Sequence, residues 1–132
     1  MSAMSEFQKR VNKTDIEPLL LELVKTRASQ INACAFCLEM HTREARQKGE
    51  TEARLYLLSA WRESSLYSPR ERAALAWTEA LTELPRSGAP DEDYEQAHGL
   101  FGDQELVELT LAIVAINAWN RISVGFRREH AV

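Results

Sequence analysis

Ile31-Asn32-Ala33-Cys34-Ala35-Phe36-Cys37-Leu38-Glu39-Met40-His41 holds both cysteines of the chain and one of its three histidines. Two thiols three residues apart can close a disulfide with little movement of the backbone. A histidine four residues after the second can take its proton. Zinc sites and buried core cysteines also produce CxxC, so the pair alone has low specificity. The stretch also sets the fold class, because the segments on either side of it repeat their apolar residues with the period of a helix rather than that of a strand.

Upstream, Leu19, Leu20, Leu23, Val24 and Ile31 return at spacings of three, four or seven from Asp15 onward. Pro18 suits the first turn of that helix, where no N–H partner is lost. Asn32 ends it or caps the next, which runs from Ala33 to Lys48 and stops at Gly49, so the cysteines lie near a helix N-terminus. Downstream, Thr51 starts a third helix through Leu55, Leu58 and Trp61. Ser68-Pro69-Arg70-Glu71 has the pattern of a capping box with Pro at the first helical position. The helix it opens puts Ala73, Ala74, Trp77, Ala80, Leu81 and Leu84 on one face and Arg72, Glu79 and Glu83 on the other. Pro85 to Pro90 reads as a connector. A short helix then begins at Pro90-Asp91-Glu92 and ends at Gly99 or Gly102. Asp103 can cap a last long helix, Gln104 to about Gly125, which is apolar around most of its circumference and is therefore central or shared with another subunit. No segment alternates with period two, so the expected fold is all-α, with about six helices.

A chain of 132 residues is most simply one domain, spanning 1–132, with residues 1–14 as a polar arm, loosely held or folded over a neighbouring subunit. The composition is 45% hydrophobic and 27% charged with 5 Gly and 4 Pro, which excludes disordered and collagenous classes. A formal charge of -4 without a basic run argues against a nucleic-acid or anionic-membrane surface. Leu106 to Trp119 falls short of the roughly 20 residues needed to span a bilayer. Met1 to Phe7 lacks the features of a signal peptide, so a cytoplasmic location is expected. In that reducing compartment a CxxC is catalytic, redox-sensing or metal-binding rather than a brace.

At about 100° per residue, Cys34, Cys37 and His41 fall within an arc of roughly 60° on one helix face. Cys37 and His41 are an i, i+4 pair, whereas the helix dipole favours a thiolate nearer the N-terminus, at Cys34. The dipole is worth about 0.3–1 kcal/mol, while an imidazole partner can move a thiol pKa by several units. That comparison selects Cys37 as the nucleophile and Cys34 as the resolving thiol. A carboxylate orienting the imidazole is expected from Glu22, Glu39 or Glu44. Glu39 should face away, and Glu22, set among leucines, should have a raised pKa.

The run Leu20-Leu21-Glu22-Leu23-Val24, then Ser29-Gln30-Ile31-Asn32, the CxxCxxxH, and Asn117-Ala118-Trp119-Asn120-Arg121 together resemble the alkyl hydroperoxidase D (AhpD)-like branch of the carboxymuconolactone decarboxylase superfamily. The resemblance covers about Leu19 to Phe126. It implies an all-helical subunit assembled as a trimer or hexamer, whose CxxC reduces hydroperoxides and is restored by a dithiol or protein reductant, with no cofactor and no metal. On this pattern Cys37 attacks the peroxide, Cys34 is proton donor and disulfide partner, and His41 with Glu22 forms a proton relay. One position departs: AhpD itself has a histidine directly before the second cysteine, where this chain has Phe36.

The alternative to an antioxidant enzyme is a non-catalytic redox-sensing or zinc-stabilised helical scaffold. A zinc site would need His98 or His130 as fourth ligand, yet both are expected at the surface. Trp61, Trp77 and Trp119 are expected to pack in the core or an interface. Asn117, Asn120 and Arg121 should cross-link helices rather than touch substrate. Arg43 with Gln47 and Glu50 with Arg54 read as solvated helix surface.

Overall fold

A computed structural model describes residues 1–132. Its elements are α1 (Ser2–Val11), α2 (Pro18–Ile31), α3 (Ala35–Gln47), α4 (Glu52–Tyr56), a 3-10 turn (Leu58–Glu63), α5 (Pro69–Thr82), α6 (Leu84–Ser87) and α7 (Asp91–Gly125). The fold is all-helical, as expected, with eight helical elements in place of about six. Three elements are added, α1, the 3-10 turn into which the third predicted helix breaks after Tyr56, and α6 at the Pro85 connector, while the last two predicted helices merge into α7.

The boundaries follow the local chemistry. Pro18 opens α2 and Asn32 closes it. Thr51 caps α4 through its side chain. Ser68 and Glu71 form both bonds of the capping box on α5. Gly102 interrupts α7 with φ 73 and ψ -177, a combination open essentially to glycine alone. The predicted short and long helices are therefore the two arms of α7. Asp103 does not cap the second arm; its carboxylate binds the His98 ring at 2.6 Å.

Helices α2, α5 and the second arm of α7 pack on one another around a core of Leu20, Val24, Ala73, Ala74, Trp77, Leu109 and Ile113. Small residues on α5 allow close approach, and α5 is buried on more sides than its pattern suggested, taking in Leu75, Ala76 and Thr78 as well. Leu84 belongs to none of this and is exposed. Trp61 and Trp77 are buried with their indole N–H groups donating to Glu79 and Thr110.

Two expectations need correction. Residues 1–14 are not a loose arm: α1 lies on α7, with Val11 buried against Ala112 and Ala115 and the Trp119 indole donating to Gln8 at 3.0 Å. The polar sequence hid this because only Phe7 and Val11 carry the contact. The Glu50–Arg54 pair is not solvated surface either. Glu50 is buried, and Arg54 bridges it to Glu71 and the Leu66 carbonyl, tying α4 to the start of α5. Arg43 pairs with Glu39 instead of Gln47.

Candidate active site around the cysteine pair

The site starts at the reversal between α2 and α3. Ala33 takes a left-handed conformation, φ 52, costing roughly 1–2 kcal/mol for a residue with a Cβ. The reversal lets the Ala33 and Cys34 amides bond back to the Gln30 and Ser29 carbonyls at 3.2 and 3.0 Å. Cys34 then becomes the N-cap of α3, and its sulfur accepts the Cys37 amide at 3.4 Å. A thiol thus occupies the position usually held by Ser, Thr, Asn or Asp.

Both thiols are free and each is 1% exposed. The Cys37 sulfhydryl faces the Ser123 hydroxyl of α7 across 3.9 Å. Burial pushes the Cys37 thiol up to about 11, and its contact with Cys34 adds to this, while Asn120 and Ser123 work in the opposite direction. The direction is opposite to the lowering that an imidazole partner would give. His41 shares the cavity with Cys37, but its Nδ1 turns to Glu22 at 3.1 Å and to Glu44 at 3.7 Å.

Glu22 is as buried as the cysteines, yet its pKa is not raised. Burial opposes ionisation, but hydrogen bonds from His41 and from Lys48, with the charge of Lys25, outweigh it and hold the carboxyl at about 2. Lys48, on the C-terminal cap of α3, reaches back to the second oxygen of Glu22. With Nδ1 donating to a fixed carboxylate, Nε2 is the basic nitrogen of His41. Glu39 faces away on the surface, as its helical angle predicted.

Asn120 is fully buried, accepting from Asn32 and donating to Ser29, both at 3.0 Å. Asn117 joins Asn32 to Thr82 of α5 at 2.9 and 3.0 Å, and Arg121 returns to Asn117 on its own helix. Asn117 and Asn120 thus cross-link helices within the subunit, as expected, whereas Arg121 stays on its own helix, and Asn120 also borders the Cys37 sulfur. Phe36, between the cysteines, is half-buried under the guanidinium of Arg128, 3.9 Å from its ring centre.

A cavity of about 360 Å³ opens onto Cys37 and His41, walled by Phe36, Met40, Ile116 and Trp119. The sequence reading did not find Lys48, Ser123 or Arg128. No local signal marks them, since each is brought in by tertiary packing or by the turn after α7. His98 lies near the Gly102 break, stacked on Tyr94, and His130 is exposed. Metal-ligating atoms converge at Glu22, His41 and Glu44, all within 4.8 Å of one another. The cysteines are not part of that cluster.

Comparison with known proteins agrees with this architecture. The carboxymuconolactone decarboxylase family model matches residues 1–80. The uncharacterised protein YdfG of Bacillus subtilis is 44% identical over 131 residues, covering 99% of this chain and 89% of its own. A crystal structure of a protein of unknown function from Agrobacterium tumefaciens, described as a candidate antioxidant defence protein AhpD, superposes with a TM-score of 0.96 at 45% identity. The match spans 99% of this chain and 90% of that one. The debrominase Bmp8 shares the fold, with a TM-score of 0.88 at 17% identity over 99% of this chain and 70% of its own.

Proposed function

The chain belongs to the carboxymuconolactone decarboxylase family, as an AhpD-like member, and from that premise we propose that it is a thiol-dependent peroxidase reducing hydroperoxides through Cys37 and Cys34. The observation that carries this reading is that Cys37 and a carboxylate-anchored imidazole, His41, line one cavity, with the Cys34 sulfur one turn behind and bonded to the Cys37 amide.

In the first step the Cys37 sulfur attacks the terminal oxygen of R–O–O–H and the O–O bond breaks. His41 Nε2 takes the thiol proton and passes it to the departing alkoxide, so the products are Cys37–S–O–H and R–O–H. Cys34 then attacks the sulfenic sulfur, forming the disulfide and releasing water. An external dithiol or protein reductant restores both thiols and becomes a disulfide itself. Glu22 stays ionised throughout, so it orients His41 and stabilises the imidazolium instead of carrying a proton. The raised Cys37 pKa makes the base necessary, because few thiolates exist near neutral pH. Dependence on an external reductant fits the cytoplasm.

Peroxide consumption with a dithiol reductant tests the assignment. Cys37→Ser should abolish turnover. Cys34→Ser should stop after one equivalent, with a sulfenic acid trapped on Cys37. His41→Ala should slow the peroxide step by about 10²-fold or more, and Glu22→Gln should slow it less. Unchanged turnover in Cys37→Ser would sink the proposal. A disulfide that forms without turnover would make the protein a redox sensor.

A further inference from the structure

The cavity in front of Cys37 has two chemically different parts. Its body is apolar, built from Phe36, Met40, Ala112, Ile116 and Trp119. Two cations, Lys25 and Arg128, line it as well. Arg27, Arg43, Arg46, Arg54, Arg62 and Arg70 are each paired with a carboxylate, while Arg72, Arg121 and Arg127 turn to carbonyl or amide oxygens and lie outside this cavity. Arg128 holds no carboxylate. Its guanidinium lies 3.9 Å over the Phe36 ring, a cation–π contact that fixes the group while leaving its N–H donors free.

The acidic groups of the cavity are already engaged. Glu44 faces His41 at 3.7 Å, and Glu22 is bonded to His41 and Lys48. Lys25 makes no ion pair and contributes its charge to the field around Glu22. An apolar recess with one immobilised, unmatched guanidinium is complementary to a molecule with an apolar body and one planar anion, which Arg binds in fork geometry. A volume of about 360 Å³ has room for on the order of a dozen water-sized groups.

We propose that the cavity selects carboxylate-bearing apolar hydroperoxides of medium chain length, with the carboxylate held by Arg128 and the chain lying along Phe36, Met40 and Trp119. This rests on the peroxidase reading for its chemistry, which is the reduction already balanced above. Phe36, standing where a proton-handling histidine is found in AhpD, then has a role of its own as the platform that positions Arg128.

Two measurements test this, the first independent of any activity. The first is calorimetric binding of decanoate and of methyl decanoate to the reduced full-length protein. Decanoate should bind at least tenfold tighter, and the preference should shrink as salt is raised. Arg128→Gln should remove the preference and Arg128→Lys should keep part of it. The second is the ratio of kcat/KM for a hydroperoxydecanoate over its methyl ester, which should fall about tenfold or more in Arg128→Gln. Equal affinity for acid and ester, or a preference that survives Arg128→Gln, would overturn the proposal. Arg128-dependent decanoate binding without turnover of any hydroperoxide would overturn the peroxidase reading and support the carboxylate site.

Discussion

His41 and Lys48 together hold Glu22 ionised against its burial, and no pattern near Glu22 in the sequence announces Lys48. The leucines flanking that carboxylate suggested a group pushed toward neutrality, but two cationic or proton-donating partners 19 and 26 residues away reverse the sign. Folding lowers the Glu22 pKa from 4.5 to about 2, a difference worth about 3 kcal/mol. Because the folded pKa is depressed, this contribution is complete above about pH 4.5 and is lost as pH falls toward 2. Urea unfolding at a series of pH values should show that loss, and in Lys48→Met the decline should begin at higher pH. A Lys48→Met profile identical to wild type would remove Lys48 from the site. The three residues on α3 were legible because spacing along one helix fixes relative direction. Ser123 and Lys48 were not, because their places depend on how α2, α3 and α7 dock.

At the scale of elements, the sequence reported most faithfully where a boundary is made by local bonds. Pro18, Asn32, Thr51 and the Ser68–Glu71 box all act where they were expected. It reported poorly where a short piece owes its form to neighbours, as in α1, α6 and the 3-10 turn, since brief segments gain little from propensity alone. Gly99 and Gly102 of α7 separate these causes. An added Cβ would meet nothing within 4 Å at either Gly99 or Gly102, but only Gly102 has positive φ. Gly102→Ala should therefore destabilise by about 1–3 kcal/mol through backbone strain. Gly99→Ala should stabilise by about 0.4–1 kcal/mol by restricting the unfolded chain. Chemical denaturation of the two variants reads both signs, and a neutral Gly102→Ala would show that the break can relax into continuous helix.

For the whole molecule, the nearly all-round apolar character of α7 resolves into two faces. One is packed inside the subunit, and the other leaves Val107, Leu111 and Val114 in a line, 59, 40 and 48% exposed. Such a stripe on a helix that already fills the core is suited to a second copy of the chain. We expect light scattering to give three or six times the 15.0 kDa of one subunit. Leu111→Asp should shift that mass downward, because a charge in an apolar contact is left unpaired. A mass near 15 kDa for the wild type in dilute buffer would remove the oligomer.

The depth of the thiols has a kinetic consequence. In the proposed cycle a small peroxide would diffuse to Cys37 through the cavity, but the sulfur of a reductant would have to reach a cysteine pair of which each member is 1% exposed. Contact then requires the start of α3 to part briefly from α7, and such openings have their own frequency, set by local stability rather than by thiol chemistry. The reductive half of the proposed cycle would accordingly be timed by the breathing of one helix end. Changes that loosen that end will quicken recovery from oxidation even when no reacting atom is altered.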